Sequence, residues 1–156
     1  MGVPHGRISI LLVEDDHFKR ELVEQALLDL RPNAALTIGR SVQQAVRMLQ
    51  GKSYDVIILD ISLPSHESHP GGAQPISQPS GGVEVLLELS YEKRHDRVLI
   101  VTQYPDIEFN GRLYPLARFP QAIASSVSVR ILDVIYFNAQ DKVWRDKLRK
   151  AFDETS

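Results

Sequence analysis

Tyr54-Asp55-Val56-Ile57-Ile58-Leu59-Asp60 is the stretch that decides the fold. Four consecutive apolar residues held between two carboxylates are too short for a core helix and too uniformly apolar for a strand with one wet face. They suit a strand covered on both sides, and strands of that kind belong to parallel sheets wrapped by helices. Upstream, Ile8 to Val13 is a second such run, and Phe18, Leu22, Ala26 and Leu30 follow it at helical spacing until Arg31-Pro32-Asn33. A weaker strand, Ala34 to Ile38, precedes a helix opened by the capping box Ser41-x-x-Gln44, with Val42, Ala45, Met48 and Leu49 facing inward and Gly51 as its stop. Downstream, Val83, Leu86, Leu87 and Ser90 suit a helix, Arg97 to Thr102 a buried strand, and Val134 to Phe137 a fifth strand. Trp144, Leu148, Ala151 and Phe152 mark the buried stripe of a terminal helix opened near Asp141. Repeated strand-helix units of this kind predict a doubly wound α/β sheet.

Two segments resist this reading. Residues 61–82 hold four prolines and four glycines and almost no apolar periodicity, which predicts a long, mobile loop beside the end of the third strand. Residues 103–130 are interrupted by Pro105, Pro115 and Pro120, which predicts loop, short helix and loop, with helical turns around Gln121 to Ser126. Within that segment Leu113, Tyr114, Leu116 and Phe119 are expected to pack into the core. The whole chain, 1–156, reads as one domain without repeats.

Composition narrows the function. The 156 residues contain no cysteine, which removes disulfide frameworks, thiolate nucleophiles and cysteine-based zinc sites. A net charge of −2, from 18 basic and 20 acidic residues, gives no footprint for nucleic acid or an anionic membrane. No segment approaches the roughly 18 apolar residues that span a bilayer, and the start of the chain has no signal-peptide pattern. A cytoplasmic protein is expected.

Three carboxylates fall at the ends of strong strands: Glu14 and Asp15 after the first, Asp60 after the third. Any one of them alone would suit a turn or a helix cap. Ligands of open parallel sheets, however, bind just outside the strand ends, and if the first and third strands are neighbours, about 4.8 Å apart, these three converge. Converging carboxylates repel one another and call for a cation, and an all-oxygen set with room for water suits Mg²⁺. A carboxylate beside Mg²⁺ can act as nucleophile in phosphoryl transfer, with Asp60 the best placed. Thr102, ending the fourth strand, would bring a hydroxyl to the same rim.

Val13-Glu14-Asp15-Asp16, the Tyr54 to Asp60 strand followed by Leu63-Pro64, Gly82 opening a helix, and Val101-Thr102 together resemble the receiver domain of bacterial two-component response regulators. The resemblance runs through the chain in order. It implies a flavodoxin-like (CheY-like) five-stranded parallel sheet of order 2-1-3-4-5. It further implies a signalling domain rather than an enzyme, phosphorylated on Asp60 by a histidine kinase or phosphotransfer protein and read by a separate effector protein. Glu14, Asp15, Asp60 and the backbone carbonyl of Ser62 would hold Mg²⁺, and Thr102 would sense the phosphoryl group. A homodimer is compatible with the family, and the chain length suggests a stand-alone receiver.

The chain departs from the family at three places. Receivers end the fifth strand with a lysine that pairs with the phosphoryl oxygens, whereas here Asn138 stands at that position, bringing hydrogen bonds but no charge. Lys142 would replace it only by a loop folding back. The loop after Asp60 and the stretch from Thr102 to Asn138 are also longer than usual, which alters the face receivers use for output. A phosphorylation-independent interaction module is therefore the alternative reading. A Mg²⁺-dependent phosphohydrolase would need a second aspartate where Ser62 stands, and His66-Glu67-Ser68-His69 matches no zinc-ligand spacing.

Overall fold

The structure, a computed structural model, describes residues 7–64, 66, 77–78 and 81–154. The elements run β1 (Ser9–Val13), α1 (His17–Leu30), β2 (Ala35–Gly39), α2 (Val42–Leu49), β3 (Val56–Leu59), β4 (Leu63–Pro64) and β5 (Ser77–Gln78). They continue with α3 (Gly81–Tyr91), β6 (Arg97–Thr102), β7 (Asp106–Phe109), β8 (Arg112–Pro115), a 3₁₀ turn (Leu116–Arg118), α4 (Phe119–Ile123), β9 (Arg130–Tyr136) and α5 (Val143–Asp153). Five strands form one parallel sheet in the order β2-β1-β3-β6-β9. With the two small antiparallel pairs set aside, this is the flavodoxin-like order 2-1-3-4-5 expected from the sequence.

Side chains alternate across the sheet, so each strand feeds two cores. Leu11, Ile57, Leu59 and Ile100 face α2, α3 and α4, where Leu49, Leu86, Leu89 and Phe119 meet them. Ile10, Leu12, Ile58 and Leu99 face α1 and α5, against Val23, Leu27, Trp144 and Phe152. No helix among the described residues is long and apolar enough to cross a membrane.

The anticipated terminal stripe is buried as read, and Asp141 accepts the Val143 N–H at the entrance to α5. Ser41 caps α2 as read, taking the Gln44 N–H at 3.1 Å, while the Gln44 side chain accepts from Arg40 rather than from Ser41.

Two helix faces differ from the expected ones. On α1 the buried residues are Lys19, Arg20, Val23, Ala26 and Leu27, and Phe18 is 62% exposed. On α3 the buried set runs through Val85, Leu86 and Leu89, leaving Leu87 outside. Both faces overlap the expected ones in part: Ala26, Val83 and Leu86 are buried as read, and Leu22 and Leu30 pack against the core from its edge.

The irregular stretch after β6 contains a β-hairpin that the prolines concealed. β7 and β8 pair antiparallel around Asn110-Gly111, both at positive φ (53° and 77°), the backbone of a tight two-residue turn. Helix α4 then begins at Phe119 rather than Gln121, with Pro120 in its first turn. Phe119 is buried as expected, but Leu113 projects from the hairpin and is exposed. β9 is also longer than the four residues expected. Of residues 61–82, β4 and β5 pair antiparallel, so the segment returns on itself immediately after the third strand. The expected mobility of the rest of this loop concerns residues outside the described ones.

Candidate phosphoacceptor site

Parallel pairing places the acidic residues. Val13 is opposite Leu59 in the β1–β3 register, and the Asp60 N–H donates to the Val13 carbonyl at 3.1 Å, so the pairing carries on past both strand ends. Glu14 is fixed from the other side, its N–H donating to the Gly39 carbonyl at 2.9 Å. Carboxylate oxygens of Glu14, Asp15 and Asp60 come within 4.8 Å of one another, which is the convergence the strand order implied. Glu14 and Asp60 are buried, and Asp15 lies nearer the solvent.

The loop leaving β3 is shaped to present Asp60. Ser62, itself buried, turns its N–H back to Asp60 Oδ1 at 3.2 Å. Helix α3 enters against this turn, with the Gly82 N–H bonded to the Ile61 carbonyl at 2.7 Å. A Cβ on Gly82 would stand 2.4 Å from the Asp60 carbonyl oxygen and 2.7 Å from the Ile61 Cα, so only glycine allows the helix to pass so close.

Electrostatically the three carboxylates outnumber the positive charge beside them. Burial, reinforced by the charge of Asp60 and only partly opposed by Lys19, pushes the Glu14 carboxyl up to about 8. Asp15 is also raised, again by burial first and Asp60 second. Both directions say that a further cation would be welcome here.

Thr102 ends β6 and is fully buried, its hydroxyl accepting the Tyr104 N–H at 3.2 Å. It shares the rim with the acidic cluster. Asn138 lies in the turn after β9, where its side-chain oxygen accepts the Gln140 N–H at 2.9 Å. Phe137, one residue earlier, turns into the α1/α5 core and stacks at a tilt on Trp144, ring centroids 4.9 Å apart.

The residue that sequence reasoning missed is Lys19. Its side chain is 1% exposed, and its ammonium lies 2.8 Å from Glu14 Oε2 and 3.4 Å from Asp60 Oδ2. It also donates to the Val101 carbonyl at 2.8 Å and lies over the Phe137 ring, 5.7 Å from the centroid. Lys142, the substitute considered from sequence, is exposed at the start of α5. A signal did exist: the stripe Val23, Ala26, Leu27 extended back by one turn arrives at position 19, so a lysine occupies a core position there.

The chain matches the family model for the response regulator receiver domain over residues 10–115. It is 36% identical over 141 residues to the Detocs response regulatory protein DtcB of Vibrio alginolyticus, an alignment covering 88% of this chain and 95% of that one. Among solved structures it is similar to the phosphorylated cyanobacterial phytochrome response regulator RcpA, with TM-score 0.62, 18% identity, and 96% and 93% of the two chains covered. The receiver domain of a sensor histidine kinase from Pseudomonas aeruginosa PAO1, solved with magnesium in its active-site cleft, aligns with TM-score 0.58 and 18% identity over 96% and 97%.

Proposed function

The chain belongs to the response regulator receiver domain family, and on that premise we propose that it accepts a phosphoryl group on Asp60 in a phosphorelay. The observation that carries the proposal is the placement of Asp60. It is a buried carboxylate at the end of the central strand, with one oxygen held by the Ser62 N–H and two further carboxylates within ligand distance. Asp60 supplies the attacking oxygen. The donor's bond to phosphorus breaks, the leaving group keeps the electron pair, and an acyl phosphate remains on Asp60.

The donor set fits a divalent cation. Three carboxylates converge and two of them are raised by burial and mutual repulsion, which a hard cation with oxygen preference would relieve. Glu14, Asp15, Asp60 and the Ser62 carbonyl are the groups that would hold Mg²⁺. When bound, the ion neutralises phosphoryl oxygens and aligns donor with acceptor. Thr102 offers a hydroxyl on the same rim for a phosphoryl oxygen, and Asn138 an amide in the adjoining turn. The donor is a histidine kinase or a phosphotransfer protein, and the phosphorylated state is read by a separate effector. The identity with a response regulatory protein over nearly the whole of both chains supports that role.

Incubation with acetyl phosphate and Mg²⁺, followed by intact mass, tests the proposal. Wild type is expected to gain one phosphoryl group, and Asp60→Asn or omission of Mg²⁺ to abolish the gain. An unmodified wild type that also fails to bind beryllofluoride would leave a phosphorylation-independent interaction module as the better reading. Asn138 in place of the lysine that receivers carry after the fifth strand, and the added hairpin, favour that second reading.

A further inference from the structure

We propose that Lys19, reaching into the site from α1, is the ammonium that pairs with the phosphoryl group on Asp60. The inference deepens the phosphoacceptor reading and rests on it. An ammonium is costly to bury and is kept inside only where its hydrogens are all used. Lys19 has three donors and three acceptors: Glu14, the Val101 carbonyl and Asp60. The contacts are unequal. Those to Glu14 and Val101 are 2.8 Å, whereas the one to Asp60 is 3.4 Å, so the ammonium is anchored at two points and its third hydrogen faces the acceptor with room to shorten.

The two Asp60 oxygens are thereby distinguished. Oδ1 takes the Ser62 N–H and Oδ2 faces Lys19. When an Asp60 oxygen forms its bond to phosphorus and the donor's P–N or P–O bond breaks, a carboxylate monoanion becomes an acyl phosphate dianion. The site gains one negative charge, and no proton need leave Lys19. Among the described residues, Lys19 is the one cationic side chain in contact with both Glu14 and Asp60. A fixed charge aimed at the place where negative charge develops is what accelerates and stabilises such a transfer.

The backbone of α1 holds the lysine in place. The Asp16 carboxylate accepts the Lys19 N–H at 3.0 Å, capping the helix at the residue that carries the ammonium. Phe137 fills the end of β9 on this face, so the strand presents a ring and the helix presents the charge. The pairing therefore links Asp60 to α1 and to the backbone of β6, with Asn138 engaged in its own turn.

The test compares wild type with Lys19→Met and Lys19→Arg, using acetyl phosphate with Mg²⁺ and, separately, beryllofluoride with Mg²⁺. Lys19→Met is expected to lower the initial phosphorylation rate and the beryllofluoride affinity at least tenfold while still binding Mg²⁺ alone, followed by the fluorescence of the single tryptophan, Trp144. Lys19→Arg should recover part of both. A folded Lys19→Met protein with wild-type rate and affinity would overturn the proposal. If wild type itself takes neither phosphoryl group nor beryllofluoride, the phosphoacceptor reading falls first and this one with it. Should Lys19→Met not fold, ¹⁵N-lysine NMR of wild type decides, with the Lys19 ammonium signal assigned by its loss in Lys19→Arg. Beryllofluoride is expected to shift that signal, and an unmoved signal would overturn the proposal.

Discussion

Gly82 sets how closely α3 approaches the acceptor loop, because a methyl group there would collide with backbone rather than with a side chain that can turn away. Gly82→Ala is expected to destabilise the fold by about 1–3 kcal/mol, the usual cost of overpacking a filled site. A urea titration measures it, and slower phosphorylation by acetyl phosphate should accompany it. At this scale the acidic cluster was legible because carboxylates that end buried strands interrupt an apolar pattern. Lys19 was not, since a lysine at the start of a helix ordinarily faces water, and the expected stripe passed through Phe18 instead. The same disguise covers Arg20, which is buried and donates to the Glu14 carbonyl at 3.3 Å. Charged groups in core positions break the hydrophobic period from which a helix face is read.

Two elements depend on identifiable polar contacts. Ser41→Ala should cost about 0.5–2 kcal/mol by removing the cap of α2, without altering phosphorylation. Arg94 ties the end of α2 to the turn after α3: its guanidinium donates to the Leu49 and Lys52 carbonyls and pairs with Asp96 at 2.8 Å. Arg94→Ala should cost about 1–3 kcal/mol, because those acceptors lose a charged donor in a largely buried setting. Chemical denaturation of each variant checks both values. The elements most clearly read from sequence were β1, β3 and β6, whose short apolar runs suit strands covered on both faces. The hairpin was obscured by Pro105 and Pro115, although Asn110-Gly111 is itself a strong turn signal. β9 was legible only in part. A register shift opposite Val98 and Leu99 inserts one extra residue, which breaks the simple alternation and blurs which side chain at its end faces α1.

For the molecule as a whole, topology does the assembling. Placing β1 beside β3 joins Glu14 and Asp15 to Asp60, and placing β6 beside β3 brings in Thr102 and the Val101 carbonyl. The α/β architecture followed from the succession of strands and helices and the strand order from the resemblance to receivers, whereas the altered α4 region could be expected only to differ. A ligand that binds this end of the sheet should stabilise the entire domain. Mg²⁺ at a hundred times its Kd is expected to add about 2.7 kcal/mol, raising the Tm by several degrees, with most of the gain lost in Asp60→Asn.

The most direct measurement is a crystal structure of wild type grown with Mg²⁺ and beryllofluoride. The account predicts beryllofluoride on an Asp60 oxygen, the metal held by Glu14, Asp15 and Asp60, and the Lys19 ammonium in contact with a fluoride. Beryllofluoride absent from Asp60 while Lys19 remains locked between Glu14 and Asp60 would contradict it.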